Sequence, residues 1–249
     1  MIRKLLSHLD TAQIRWRGWQ HSTIGGFPVR VHYGDRSFWI DTYFRCWEEE
    51  TLAWLRAHIR SGVRYGDIGA WVGPTSIFAA KLGAEVTCFE PDPAAFERLL
   101  FNLRMNAEGQ VLPFNLALGA ADGVRRLAPL AKELGQSGSS LYAPEDKAES
   151  ARVLVLSWTS AVRLLQLPAF DVVKIDIEGG EAELLTDMLP WLRQHRPHLL
   201  LGTHWRFIPE DKKETFVETL RELAAIYPRS REIDMDAVRK GFPSLCFEP

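Results

Sequence analysis

The stretch from Tyr65 to Glu90 constrains the fold of this chain more than any other. Val63 to Ile68 is rich in apolar residues, Gly69 and Gly73 bracket a turn, Pro74 to Leu82 suits a short helix, and Glu85 to Phe89 is rich in strand formers before an abrupt Glu90-Pro91. Strand, glycine turn, helix and strand in that order make a βαβ unit, and parallel strands joined this way imply an α/β sheet.

The turn reads Asp67-Ile68-Gly69-Ala70-Trp71-Val72-Gly73. A missing Cβ at Gly69 and Gly73 lets a ligand lie against the backbone, and a carboxylate at the tip of the next strand, Glu90, suits both hydroxyls of a ribose. In the G-x-G-x-x-G fingerprint of diphosphate binders, the second and third glycine places fall here on Trp71 and Pro74. A cofactor with a ribose and no phosphate, such as S-adenosylmethionine, therefore fits better than a nicotinamide dinucleotide. Ligands of open parallel sheets bind beyond the carboxyl ends of the strands, and Asp67, Glu90, Asn115, Asp176 and His204 all fall at or just after such ends.

Asp67 to Ala70 with Gly73, Phe89-Glu90-Pro91, Asn102, Asn106, Asn115, Ala117-Leu118-Gly119, Gly138-Ser139-Ser140 and the run Lys174-Ile175-Asp176-Ile177-Glu178-Gly179-Gly180-Glu181 follow one another in order. This series, from about Trp47 to His204, resembles the FkbM family of S-adenosylmethionine-dependent methyltransferases. The resemblance implies a Rossmann-like fold, a mostly parallel seven-stranded sheet with helices on both faces and an antiparallel strand in its last pair. It implies a cofactor site of Asp67, Gly69, Ala70, Trp71, Gly73, Glu90, Pro91, Asn115, Ala117 and Asp176, with Asn115 and Ala117 beside the adenine. It also implies methylation of a hydroxyl on a small molecule, sugar, glycan or secondary metabolite. Trp71 stands where the family usually has a small or amide residue. Gly202-Thr203 precedes His204 where an acidic residue is common, so a carboxylate partner for that histidine is not evident.

Methyl transfer to an alcohol needs the hydroxyl proton removed, and Asp176, Glu178 and His204 are the groups suited to that, with His204 or Asp176 preferred as the base. A carboxylate pair with a histidine also fits a divalent ion, but the ligand spacing is not diagnostic and the reading assigns no metal. Two other functions fit less: a non-catalytic S-adenosylmethionine-binding or partner module, and a nucleotide-dependent oxidoreductase, against which the glycine spacing counts.

Around this core, residues 1–46 read as an N-terminal cap and residues 47–249 as the main domain. In the cap, residues 1–26 form a helical lead-in ending at Gly25-Gly26, and Phe27 to Tyr33 and Ser37 to Thr42 pair as a hairpin around Gly34-Asp35-Arg36. Leu52, Leu55 and Ile59 recur at helical spacing, which puts Glu48-Glu49-Glu50 in a first turn, where a solvated helix end accounts for them; the resemblance offers a second reading in which that segment lies near the cofactor. Pro113 assigns the third core strand to an edge. Residues 120–150 form either a mobile loop or an excursion over the active site. Trp71 and Trp205 offer flat faces for an acceptor ring. Arg231 to Met235 and Ser244 to Phe247 close the chain as β segments.

Composition excludes other classes. Lys+Arg 30 against Asp+Glu 32 leaves a net charge of -2, without the basic footprint of a nucleic-acid or membrane-surface binder. Cys46, Cys88 and Cys246 are odd in number and lack metal spacing, which fits a reducing compartment. Charged residues interrupt the N-terminus before a signal-peptide core forms, and no apolar run approaches the roughly 20 residues of a membrane span. The expectation is a cytoplasmic protein with no membrane span; no sequence feature sets its oligomeric state.

Overall fold

The computed structural model describes residues 16–45, 47–130, 133–144, 149–228, 230, 233–240 and 244–249. In chain order its elements are β1 (Trp19–Ile24), β2 (Phe27–His32), α1 (Arg36–Arg45), α2 (Glu49–His58), β3 (Arg64–Ile68), α3 (Pro74–Lys81), β4 (Glu85–Phe89), α4 (Pro93–Asn106), β5 (Val111–Phe114) and β6 (Ala117–Gly119). Then follow β7 (Gly123–Pro129), β8 (Ser139–Ser140), β9 (Ala151–Ser157), α5 (Trp158–Leu164), β10 (Val172–Ile175), α6 (Glu181–His195), β11 (His198–Gly202), α7 (Lys213–Ile226), α8 (Met235–Lys240) and β12 (Ser244–Phe247).

The predicted βαβ unit is β3, α3 and β4, and it sits at the centre of a sheet of order β12-β11-β10-β3-β4-β5. All neighbours run parallel except β12, which pairs antiparallel with β11. The fold is thus α/β and Rossmann-like, but its main sheet has six strands among the described residues, not the expected seven. β6 and β9 pair instead with β7 and β8 in a second sheet of order β6-β9-β7-β8. Pro113 lies in β5, an edge strand, where its missing donor costs no ladder bond.

Strand order reverses between β3 and β10, the place where a crevice opens above an α/β sheet. Both faces are covered, so the central strands bury nearly every residue. On one face Leu184, Leu185, Met188 and Leu192 of α6 pack with Phe216, Leu220 and Leu223 of α7. On the other, Leu55, Ile77, Phe78 and Leu99 join α2, α3 and α4 to the sheet. No helix among the described residues is long and apolar enough to cross a membrane.

The N-terminal segment departs from expectation. The hairpin is β1 with β2, in register Ile24↔Phe27, and it turns at Gly25-Gly26, where φ is +51° and +85°. Two consecutive positive φ angles suit a two-residue hairpin turn, and glycine takes them without a Cβ penalty. Ser37 to Thr42 is helical, inside α1, because Trp39 is driven into the core (1% exposed) and its carbonyl accepts from the Ser22 hydroxyl. Trp19–Ile24 is a strand where a helical lead-in was expected, and residues 1–15 lie outside the described residues. At the other end Met235 starts α8, not a strand, while residues 231–232 of that expected segment are outside the described ones.

Asn102 ties this hairpin to the core. Its Oδ1 accepts from the His32 amide at 2.7 Å and its Nδ2 donates to the Val72 carbonyl at 2.8 Å, all within a fully buried side chain. Asn106 brackets Arg30 in the same way, Oδ1 accepting from the amide and Nδ2 donating to the carbonyl. Asn102→Ala should destabilise the protein by about 2 to 4 kcal/mol, since a buried donor and acceptor both lose their partner. A denaturant titration measures this; a loss under about 1 kcal/mol would show that the hairpin is held elsewhere.

Candidate functional site

A cavity of about 830 Å³ opens at the β3/β10 crevice, lined among others by Gly69, Ala70, Trp71, Glu90 and Pro91 from the glycine turn and the β4 tip. Ala117 adds to the wall from β6, with Leu116 and Leu118 beside it. Asp176, Glu178 and His204 line the same cavity. Asp67, Gly73 and Asn115 are not on its wall, and each acts from behind it.

Asp67 is fully buried, its Oδ2 accepting from the Thr75 and Ser76 hydroxyls at 2.7 and 2.6 Å. Burial pushes its carboxyl up, ahead of the opposing pull of Lys174. Of its partners Thr75 reaches the cavity. Asn115 donates from Nδ2 to the carbonyls of Glu90 and Pro91, which fixes the backbone carrying the Glu90 carboxylate. The glycines also answer a packing need that the sequence did not show. A Cβ on Gly69 (φ +87°) would stand 1.9 Å from the Asp176 carbonyl oxygen, and one on Gly73 (φ +88°) 2.5 Å from Leu99 Cδ1. They let β3 close on β10 and α3 on α4, so the turn is shaped by the fold itself.

Glu90 is the buried acid of the wall beside the glycine turn. Its Oε2 accepts from the Trp71 amide and its Oε1 from the Asp92 amide, each at 2.8 Å. Burial outweighs those bonds and lifts its pKa to about 8. Accepting the first bond holds Trp71 at φ +49°, and the indole Nε1 then donates to the Gly135 carbonyl at 2.9 Å. Trp205 turns elsewhere, against Phe216 and under Lys213.

Within the 120–150 excursion, residues 133–140 form a roof over the cavity. Asp92 is 1% exposed and serves two segments: Oδ1 caps α4 through the Ala94 and Ala95 amides, and Oδ2 accepts from the Gly135 amide and the Ser139 hydroxyl, each at 2.7 Å. Arg98 adds a bond to the Gly135 carbonyl, and Ser140 donates to the Glu178 carbonyl. Leu134 and Gly138 of this segment line the cavity. Asp92 reads in the sequence only as a helix cap.

The acid-rich part of the lining is built from the Lys174 to Glu181 run. Lys174 Nζ bonds Asp176 Oδ2 at 2.7 Å with only 6% of its side chain exposed. Burial works against both charges, yet each sustains the other: Lys174 is raised, Asp176 lowered. Glu178 takes φ +52° and Gly179 φ +97°, where a Cβ would come within 2.5 Å of the Phe207 carbonyl oxygen. Burial raises the Glu178 carboxyl, ahead of the opposing influence of His204.

Glu181 was not singled out as a site residue. It is fully buried, with Oε1 accepting from the Ile177 amide and Oε2 from the Gly179 amide, and Oε1 also lies 2.6 Å from His204 Nδ1. It supplies the carboxylate partner that Gly202-Thr203 withheld, from 23 positions upstream. His204 Nε2 faces Asp176 Oδ1 at 3.3 Å and Glu178 Oε2 at 3.7 Å. Burial disfavours the charged ring, but the Glu181 bond and the three carboxylates outweigh it and lift the pKa to about 9. At neutral pH the ring is therefore an imidazolium with no lone pair to accept a proton. Among the described residues no set of three or more His, Cys, Asp or Glu side chains has the arrangement of a metal site.

A family model described as the methyltransferase FkbM domain matches residues 61–231. The hexuronic acid methyltransferase AglP of Haloferax volcanii is 30% identical over 122 residues, covering 49% of this chain and 48% of that protein. The chain thus spans about half the length of the curated relative it matches. Among solved structures, methyltransferase FkbM from Methylobacillus flagellatus KT aligns at 19% identity and a TM-score of 0.48, covering 75% of this chain and 43% of that one. Aeropyrum pernix fibrillarin, solved with natively bound S-adenosyl-L-methionine, aligns at 10% identity and a TM-score of 0.46, covering 92% and 82%.

Proposed function

Because the chain belongs to the FkbM methyltransferase family, we propose that it uses S-adenosylmethionine to methylate a hydroxyl of a sugar, glycan or related secondary metabolite. The observation that carries this reading is one cavity lined both by Glu90 beside the glycine turn and by the Asp176, Glu178 and His204 group. The archaeal relative's name, a hexuronic acid methyltransferase, supports a sugar acceptor.

The residues present fit such a cofactor. Each Glu90 oxygen has accepted one backbone N–H and keeps a further acceptor site, as a ribose diol requires. Phe89, Leu116, Ala117 and Leu118 offer an apolar wall for a flat base. The cofactor supplies an electrophilic methyl group carried on a sulfonium.

The protein's own work is orientation and removal of the acceptor proton. His204 is charged at neutral pH and Asp176 is held low by Lys174, so neither is a good base there. We assign the proton to Glu178 Oε2, whose carboxyl is raised by burial, while the neighbouring imidazolium opposes that rise and favours the ionised form that accepts the proton. This moves the base from His204 or Asp176 to Glu178.

Isothermal titration with S-adenosylmethionine and S-adenosylhomocysteine, followed by transfer of labelled methyl to hydroxylated acceptors, tests the reading. No binding of either by folded protein would sink it; binding with no transfer to any acceptor would leave a cofactor-binding module. Measured above about pH 8, where Glu90 is ionised, Glu90→Ala should weaken cofactor binding by about 1.5 to 3 kcal/mol, the loss of a charged acceptor. Since the ionised carboxylate accepts more strongly, wild-type affinity should rise as pH climbs through about 8, and Glu90→Gln should abolish that rise. A pH-independent wild-type dissociation constant would remove Glu90 from the ribose.

A further inference from the structure

Part of the cavity lining belongs to neither the glycine turn nor the His204 group. Ser37, Phe38 and Asp41, on α1, and Trp47 and Glu48, just before α2, all line it. Ser37 and Asp41 are about one helical turn apart on one side of α1, and Phe38 reaches the cavity from the neighbouring position. Phe38 packs edge-on against Trp71 at 4.5 Å and Trp47 at 5.1 Å, so aromatic rings stand beside two carboxylates. Apolar ring faces next to hydrogen-bond acceptors match a sugar, which presents C–H faces and hydroxyl edges.

The charge of the lining narrows the sugar. Eight acidic residues line the cavity against three basic ones among the described residues. Each of the three is already engaged. Arg98 Nη1 bonds Asp35 Oδ1 at 2.6 Å and the Gly135 carbonyl at 3.2 Å. Lys174 is buried on Asp176 at 2.7 Å, and His204 lies among Asp176, Glu178 and Glu181. A carboxylate entering here would meet like charge with no cation spared for it, which costs several-fold to many-fold in affinity.

We propose that Ser37, Phe38, Asp41, Trp47 and Glu48 form the acceptor subsite, and that it selects a sugar ring bearing no carboxylate, with an amine-bearing ring preferred and a uronate excluded. The proposal rests on the sugar-methyltransferase reading above. Asp41 and Glu48 accept from hydroxyls or an ammonium, and Phe38 with Trp47 covers one face of the ring.

The test is binding to the full chain loaded with S-adenosylhomocysteine. Matched methyl glycosides are compared by ligand-observed NMR, in gluco, galacto and manno configurations: the neutral hexoside, its 6-amino-6-deoxy form and its uronate. The amine should bind best and the uronate worst, with about tenfold or more between them. Asp41→Asn with Glu48→Gln should shrink that interval to about threefold or less, and S-adenosylhomocysteine titration verifies that the double variant is folded. A uronate that binds as well as the amine overturns the proposal and leaves the sugar reading standing. An interval unchanged in the double variant overturns the subsite. Binding of no sugar by wild type that binds S-adenosylhomocysteine overturns the sugar reading and the proposal together.

Discussion

Glu178→Gln is expected to lower kcat by about 10²- to 10⁴-fold, the usual worth of a positioned base, while affinity for S-adenosylhomocysteine stays close to wild type. The side chain is isosteric, so the turn at Gly179, which is set by backbone φ and by the approach of the Phe207 carbonyl, survives the change. What is lost is the acceptor of the hydroxyl proton at Oε2, 3.7 Å from His204 Nε2. The pH profile separates the two candidate bases. With Glu178 as base, kcat rises with pH as that carboxyl ionises and falls as His204 loses its charge through about 9. With His204 as base, activity would rise only through about 9. Equal loss of kcat and cofactor affinity in the variant would make Glu178 structural, and no loss at all would return the base to Asp176.

How far the chain could be read in advance divides along a physical line. The βαβ unit, the parallel strands and the strand-end acids were legible because burial on both faces writes continuous apolar runs, and glycine and proline punctuate them. Even so, Gly69 was legible as a turn without its cause, since the Asp176 carbonyl that forbids a Cβ arrives from a strand more than a hundred residues later. The helix α1 was misread because Phe38-Trp39-Ile40 has strand composition, and only the docking of Trp39 beneath β1 decides for helix. Asn102 and Asn106 look like ordinary surface polarity at i, i+4, yet Asn102 is fully buried against a hairpin some 70 positions away. Met235, read as the end of a β segment, opens α8 instead. The charge state of His204 was likewise not legible, since it depends on three carboxylates converging in space.

The largest structural effect should come from Glu181. Glu181→Ala removes one fully buried carboxylate that serves the Ile177 amide, the Gly179 amide and His204 Nδ1 at once. Leaving a charged ring and two amides without their acceptor should cost about 3 to 5 kcal/mol, read by denaturant titration. Glu181→Gln keeps the shape and one acceptor oxygen, and isolates the charge. His204 is raised in the folded protein from its ordinary 6.5 to about 9. Its ion-pair contribution is therefore fully present below about 6.5 and is lost as pH rises through about 9. Wild-type stability should fall across that window, and Glu181→Gln should flatten the fall, because the bond that most strongly lifts the ring is weakened. The same variant should pull the alkaline limb of the kcat profile to lower pH, an effect that a purely structural role for Glu181 would not produce. If stability drops while the limb stays in place, Glu181 holds the turn and has no part in setting the charge on His204.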